Sequence, residues 1–240
     1  MKDKHLTKEM MKVLYSSSNV NKKQFLIVSK YIERTRVNLI LLRFLLKDMK
    51  LRGMLITIDR PHQYISYLLD LQKIPQSNLI YLDMISRLSC NKSKKEYINV
   101  CFTDGPYEIG FLNNLFENSV WTPPVVESLS KRYLDLKELD FIMIDDIAAL
   151  LKYMDNDGVE EFIREYSSSI RRLKTVISPM VIDANKHRQL FPLLKEDSEG
   201  IILINVAKGI IKDISDDYYG TVKTQYNSNL NTLYAKEINI

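Results

Sequence analysis

The stretch QFLIVSKYIERTRVNLILLRFLLKDMK (24–50) decides the fold. Residues 24–29 form a short apolar run rich in branched and aromatic side chains, which predicts a buried strand. A charged loop follows, and residues 37–50 are apolar on most faces and long enough for a helix. A helix this apolar packs between a sheet and other structure. A strand, a loop and a buried helix in this order indicate an α/β unit.

The same alternation continues along the chain. Further strands are predicted at 54–59, 78–86, 98–104, at the start of 140–154, and at 175–182 and 200–214. Further helices are predicted at 5–15, 62–72, near 107–117, 125–136, 158–174 and 187–197. Pro179 interrupts one strand, so we expect it at a strand end or a bulge. The alternation predicts a three-layer α/β sandwich, with a mostly parallel sheet covered on both faces.

The length of the chain fits one domain. The 240 residues are 45% hydrophobic, which is enough for one large core. We divide the domain into an N-terminal helix and loop (1–23), a core (24–212) and a tail or edge hairpin (213–240). Because no long uncharged apolar run occurs, no membrane span is expected. The N-terminus also lacks the apolar centre of a signal peptide.

The cysteines and histidines do not predict a metal site. Cys90 and Cys101 are the two cysteines, too few for a disulfide framework and not at a metal-ligand spacing. A reducing cytoplasm is therefore the expected compartment. His5, His62 and His187 are far apart and form no metal spacing or triad. Surface or capping roles are expected for them.

Positive charge is concentrated at the N-terminal end. Residues 1–50 hold 12 Lys and Arg against 4 Asp and Glu, whereas the rest of the chain holds 22 against 26. One interpretation is a solvated helix surface, and the other is a basic face for phosphates, nucleic acid or an acidic partner. Glycine is scarce, and none precedes Gly53, which we expect to end the first buried helix. Loops that cradle phosphates usually carry glycines after the first strand, so these observations argue against one here.

Four segments resemble a known superfamily: GMLITIDRPHQYISYLL (53–69), NLIYLDMIS (78–86), DFIMIDDIAALLKYMD (140–155) and GVEEFIREYSSSIRRLKTVIS (158–178). In order and pattern they resemble the RecA superfamily of nucleotide-binding proteins, and within it the KaiC-like branch that is widespread in archaea. The resemblance covers about residues 24–212. It implies a RecA-like, mostly parallel twisted sheet. It also implies self-association or pairing with an active relative, because RecA-type domains bind nucleotide at subunit edges.

The Walker A loop of that superfamily, G-x-x-x-x-G-K-[ST], is missing from its expected place. The corresponding stretch is SKYIERTR (29–36), in which Ser29 and Arg34 replace the glycines, Thr35 the lysine and Arg36 the hydroxyl residue. Side chains at the glycine positions obstruct the approach of backbone to phosphate, and the phosphates and magnesium lose their partners. We therefore expect no efficient ATP hydrolysis and no cofactor. ATP or ADP with magnesium stays the alternative.

Two acidic residues stand where the resemblance implies functional carboxylates. Asp145 follows four apolar residues (141–144), as a Walker B strand requires, and would hold a magnesium-bound water. Asp59 stands where KaiC-like ATPases place the carboxylate that polarises the attacking water, although the usual residue there is glutamate. The alternative for both residues is a helix or turn cap, a common role for acids at strand ends.

Lys30, Arg34 and Arg36 lie at the predicted start of the buried helix, a position that favours anions. One hypothesis is that their cations fill the vacated phosphate space and pair with Asp145 or Asp59. The other is that they still bind a nucleotide or another phosphorylated ligand. The candidate vestigial nucleotide- or anion-binding residues are Ser29, Lys30, Arg34, Thr35, Arg36, Asp59 and Asp145; no catalytic or metal-binding residue is assigned.

Two aromatic features allow partner binding. Trp121, close to Pro123 and Pro124, is either a docking residue for a partner or a buried anchor of its loop. The tyrosines of the tail fit either edge-strand packing or a stacking surface for nucleic acid. These tyrosines are Tyr218, Tyr219, Tyr226 and Tyr234.

The leading interpretation is a non-catalytic pseudo-ATPase. Such a protein would act as a regulatory or scaffolding subunit in archaeal signal transduction, through a protein partner or self-association. A divergent nucleotide-binding switch and a nucleic-acid-binding RecA-like protein are the alternatives.

Overall fold

The computed structural model describes residues 2–14, 23–86, 99–102, 120–121, 134–135, 139–173 and 176–215. Within these residues, eight strands form one sheet in the order β10-β9-β1-β8-β7-β2-β3-β4. The strands are β1 (Gln24–Val28), β2 (Gly53–Thr57), β3 (Leu79–Asp83), β4 (Val100–Phe102), β7 (Phe141–Ile144), β8 (Ser178–Ile182), β9 (Gly200–Asn205) and β10 (Ile210–Asp213). Each strand runs parallel to its neighbours except in the edge hairpin β9–β10. The predicted α/β class with a mostly parallel sheet is confirmed.

Five α-helices lie among the described residues. They are α1 (Lys2–Leu14), α2 (Arg34–Leu42), α3 (His62–Leu71), α4 (Asn156–Arg172) and α5 (Phe191–Asp197). Short 3-10 segments occupy Tyr31–Glu33 and Ile147–Lys152, and a π-helical turn, Arg43–Asp48, continues α2. None of these described helices combines the length and the apolar character that crossing a membrane requires.

The helices cover both faces of the sheet, which gives the three layers. Along β1, Phe25 and Ile27 pack with α1, α2 and α3 on one face. Leu26 and Val28 alternate with them and pack with α4 and α5 on the other. This alternation follows from the pleat of a strand. Since β1 is buried along its whole length, its sequence is a continuous apolar run rather than an alternating one.

The first buried helix begins earlier than its apolar pattern predicts. Residues 34–36 already belong to α2, although the apolar run begins only at 37. The helix does not end at Gly53, which is instead the first residue of β2. Lys50, with a φ of 57°, lies between the helix and that strand. Gly53 has a packing role, because a Cβ there would lie 2.3 Å from the ring of Phe141.

Pro179 lies in a central strand, between β1 and β7. On the β7 side the ladder is interrupted, with bridges at Ile177 and Met180. A proline has no N–H for this ladder. The Tyr166 hydroxyl of α4 lies 3.3 Å from the carbonyl oxygen of Ile142 and donates to it, and the Ser178 hydroxyl lies 2.6 Å from that of Tyr166. A side chain from the covering helix thus supplies the donor that the strand lacks.

The prediction of a helix over 125–136 is wrong at its end. Leu134–Asp135 forms β6, which pairs antiparallel with β5 (Val120–Trp121). Pairing with a distant segment here overrides the local helical pattern. The remainder of 122–133, the helix near 107–117, Pro123, Pro124 and the four tail tyrosines lie outside the described residues.

We predict that Gly53→Ala destabilises the protein by about 1–3 kcal/mol, because the new methyl group overlaps a buried ring. Gly158→Ala is the matched control, since its Cβ would approach neighbouring atoms no closer than 3.3 Å. Urea unfolding of the two variants and the parent measures the difference. Equal stability of the three proteins would contradict the close packing of Gly53 on Phe141.

Candidate functional site

The candidate site lies at the carboxyl edge of the parallel sheet, where the loop after β1 is fixed to its neighbours. The Tyr31 N–H donates to Asp183 Oδ2, after β8, at 2.7 Å. The Glu33 carboxylate accepts the N–H groups of Val206 and Ala207, between β9 and β10, at 3.1 and 2.9 Å. The loop is therefore attached on both sides. The loop contains no glycine and needs none, because none of its described residues has a positive φ.

Arg34, the first residue of α2, joins three elements through its guanidinium. Its Nη2 donates to Asp59 Oδ2, after β2, at 2.6 Å, and its Nη1 donates to Asp146 Oδ2, after β7. The three side chains are at most 8% exposed. Asp59 Oδ1 also accepts from Lys152 Nζ at 2.5 Å. The hypothesis that Arg34 pairs with Asp59 is confirmed. The second partner of Arg34 is Asp146 rather than Asp145.

Charge pairing controls the ionisation of Asp59. Burial opposes the charged carboxylate, but the Lys152 ammonium and the Arg34 guanidinium outweigh burial and hold the pKa of Asp59 below its usual range. A buried ion pair of this kind adds little net stability, but removing one partner leaves an uncompensated buried charge. The arrangement therefore fixes which side chains face each other more than it increases the stability of the fold.

Asp145 is held by backbone groups instead of by a cation. Its Oδ1 accepts the N–H groups of Ile58 and Asp146 at 2.9 and 2.8 Å, and the Asp59 N–H lies 3.3 Å from Oδ2. Asn38 of α2 donates to its carbonyl oxygen at 2.9 Å. Burial raises the pKa of Asp145 to about 7, although the hydrogen bonds from Ile58 and Asp59 partly oppose the rise. This carboxyl therefore changes its charge near neutral pH.

The other predicted residues are divided between the interior and the surface. Ser29 is buried, and its hydroxyl has no hydrogen-bond partner among the described residues. Lys30 and Arg36 are exposed and Thr35 is half-buried. The structure thus brings together Arg34, Asp59 and Asp145 of the seven candidates.

Sequence reasoning missed three participants: Asp146, Asp183 and Lys152. Asp146 accepts the Ala148 N–H and so caps the 3-10 segment while it holds Arg34. Asp183 directly follows β8, as Asp145 follows β7. Because parallel strands end at one edge, an acid after each buried strand was the available signal for Asp183. Lys152 lies at the end of the 3-10 segment and carried no such signal.

Tyr31 carries two cations close to its ring. Lys186 Nζ lies 3.7 Å from the ring centre, and the guanidinium carbon of Arg34 lies 4.6 Å from it. Such contacts are attractive because the ring face is electronegative. Tyr31 is 44% exposed and Ile32 is 89% exposed. The loop thus shows an apolar tip to solvent, above the buried ion pairs.

A second polar cluster joins His62, Asp83 and Ser86. The His62 Nδ1 and Asp83 Oδ2 atoms are 2.6 Å apart, and the same oxygen accepts the His62 N–H at 2.9 Å and the Ser86 hydroxyl at 2.6 Å. Burial opposes the Asp83 carboxylate, but these hydrogen bonds hold its pKa below the usual range. His62 begins α3 and is buried, so a surface role is wrong for it. The cluster fixes the start of α3.

The other two histidines differ in exposure. His5 is exposed on α1, as expected. His187 is half-buried, and burial together with the Lys186 charge lowers its pKa.

No protein-family model and no curated protein matches the sequence. Solved structures do match the fold. The uncharacterised protein PH0321 from Pyrococcus horikoshii, in complex with an unknown peptide, has a TM-score of 0.56 at 10% identity, with 82% of each chain covered. PH0250 from the same organism has a TM-score of 0.51 at 14% identity, covering 87% of this chain and 91% of that one.

The KaiC-like protein PH0186 from Pyrococcus horikoshii also matches, with a TM-score of 0.47 at 9% identity over 76% of this chain and 72% of that one. At these identities a match shows the fold alone. The structure has the mostly parallel sheet that the sequence predicted.

We predict a pH dependence of stability that Asp145 causes. Its folded pKa of about 7 lies above the ordinary value of 3.8, so the folded state holds this proton more tightly than the unfolded state. The contribution of Asp145 to the free energy of unfolding is most favourable at a pH below its ordinary pKa. It weakens as the pH rises towards 7 and is constant above that pH. Asp145→Asn should remove this slope and stabilise the protein by about 1–3 kcal/mol at pH 8.

Urea unfolding of Asp145→Asn at several pH values, beside the parent, measures this effect. Asp157→Asn, an exposed change on α4, is the control and should follow the parent curve. If the free energies of unfolding of Asp145→Asn and the parent change with pH in parallel, the pKa of Asp145 is not raised in the folded state.

Proposed function

We propose that the protein is a non-catalytic RecA-like pseudo-ATPase that acts as a regulatory or scaffolding subunit by binding a protein partner. The observation that carries the proposal is the Arg34 guanidinium bonded to both Asp59 and Asp146. The guanidinium occupies Asp59, the carboxylate that the resemblance places beside the attacking water, and ties it to Asp146, which directly follows the Walker B-like Asp145.

The residues at this edge do not fit a magnesium nucleotide. Asp59 and Asp146 accept hydrogen bonds from Arg34, and the Asp145 carboxylate accepts backbone N–H groups. Binding a metal here requires breaking buried, charge-assisted hydrogen bonds, which is costly. Residues 29–36 also lack the glycines, and the cation and hydroxyl of a Walker A loop are missing from their places.

A role in partner binding is supported by the fold. The solved structure of PH0321 is a complex with an unknown peptide, so a protein of this architecture can take a peptide ligand. A fixed loop with exposed apolar residues, as found after β1, is a suitable binding element because little freedom is lost on binding.

Isothermal titration with ATP and ADP in the presence of magnesium tests the proposal, together with an assay of released phosphate. We expect no binding at nucleotide concentrations up to about 1 mM, where the binding free energy is only about −4 kcal/mol. We also expect no hydrolysis above the buffer rate. Asp145→Asn controls for a contaminating ATPase, because hydrolysis by this site would change in that variant.

Micromolar nucleotide binding would contradict the proposal and favour the nucleotide-binding switch. Hydrolysis that Asp145→Asn abolishes would contradict it more strongly, since the protein would then be an enzyme.

A further inference from the structure

The apolar tip of the loop after β1 is unusual for a surface. Ile32 is 89% exposed, the highest value among the large hydrophobic side chains exposed in the described part of the chain, and Tyr31 beside it is 44% exposed. The Tyr31 N–H donates to Asp183, and Glu33 accepts the Val206 N–H; these two hydrogen bonds fix the loop. A single exposed apolar residue is ordinary, but a rigidly held pair within a charged surrounding is typical of an interface.

The acids next to this tip are used within the protein. Asp183 accepts the N–H groups of Tyr31, Asn185 and Lys186 through its two oxygens. The Glu33 carboxylate accepts two N–H groups of the β9–β10 turn. Both carboxylates therefore join neighbouring loops by accepting hydrogen bonds from their backbone N–H groups.

The lysines of the same loops are exposed. Lys30 precedes Tyr31 and is exposed, and Lys186 is exposed while its ammonium lies over the Tyr31 ring. Lys208 is exposed in the turn that Glu33 holds. We call Lys30, Tyr31, Ile32, Lys186 and Lys208 the tip surface. It combines an apolar centre with positive charge, which complements a ligand that has an apolar side chain among carboxylates.

We propose that the tip surface is the docking site of an acidic peptide segment from a partner protein. An apolar side chain of the segment would pack on Ile32, and its carboxylates would pair with the lysines. This inference rests on the proposed function, because it names the surface and the chemistry of the partner that the function requires.

A peptide fits this surface better than nucleic acid does. Nucleic-acid-binding surfaces stack bases on aromatic faces, whereas the most exposed side chain here is aliphatic. The ring of Tyr31 is already in contact with Lys186 and Arg34. The surface therefore offers charge for phosphates but lacks an open stacking platform.

Selection from a random dodecapeptide phage library tests the proposal directly. The intact chain is the bait, and binders to the Ile32→Asp variant are removed by counter-selection. Because Ile32 is almost fully exposed, the variant should fold as the parent does, which its thermal unfolding checks. We expect enriched peptides with an excess of Asp and Glu around at least one apolar residue. No enrichment, or enrichment of neutral or basic peptides, would overturn the proposal.

Fluorescence anisotropy with the most enriched peptide, synthesised free, gives the second measurement. Ile32→Ser and Lys186→Glu should each weaken its binding by about tenfold or more, as expected for a central contact. Leu71→Ser, at a side chain that is 60% exposed on α3, is the matched control and should bind as the parent does. If the control loses as much affinity as the tip variants, or if the tip variants lose none, the peptide does not bind at the tip surface.

Two further measurements test whether nucleic acid or a second copy of this chain binds the tip surface instead. Tighter binding of a single-stranded oligonucleotide than of the peptide at about 150 mM salt would indicate a nucleic-acid surface. Concentration-dependent association in analytical ultracentrifugation that Ile32→Asp abolishes would indicate a second copy of this chain. Either result would overturn the peptide proposal. If neither peptide nor nucleotide binds, the proposed docking site is wrong and the pseudo-ATPase proposal stands. Nucleotide binding would contradict the pseudo-ATPase proposal whatever the peptide result.

Discussion

A buried guanidinium must meet carboxylates, and this requirement organises the carboxyl edge of the sheet. Arg34 lies at the start of α2, and its partners follow two neighbouring strands, β2 and β7. The cost of removing three charges from water is offset only if all three stay together. The start of α2 is therefore tied to the loops after β2 and β7. A site in which ligand and metal could exchange would need this contact to open.

The neighbouring groups are consistent with that constraint. Asp145 lies beside the ion pairs without a cation of its own, and burial raises its pKa to about 7. The loop after β1 contains no glycine, and none of its described residues has a positive φ. Its connectors, Glu33 and Asp183, bind backbone N–H groups of the adjacent loops. The buried charged groups of this edge are thus hydrogen-bonded within the protein. The outermost part of the edge, at Tyr31 and Ile32, faces solvent.

Much of the fold could be predicted from local pattern. The apolar run of β1 and the helical pattern over 158–174 identified these elements, because hydrophobic periodicity distinguishes strands from helices. Pattern could not identify the pairing of β5 with β6, which joins distant segments. It also could not show that a hydroxyl from α4 compensates for Pro179 in a central strand, because that contact depends on packing between layers.

The candidate site was predictable in composition but not in its contacts. Arg34 was identified by its place in the stretch that the resemblance aligns with a Walker A loop. The ends of two strands identified Asp59 and Asp145. Which acid pairs with the guanidinium depends on side-chain direction at the strand ends, and the partner after β7 is Asp146. The contacts of Tyr31 depend on Lys186, in a loop far away in the sequence.

In a pseudo-ATPase of this kind, Arg34 stays between its two carboxylates when nucleotide is offered. A crystal structure grown with magnesium and a non-hydrolysable ATP analogue measures this directly. We predict the guanidinium on Asp59 and Asp146, with no nucleotide between Ser29 and Asp145. A nucleotide bound there, with Arg34 turned away from Asp59, would contradict the pseudo-ATPase function.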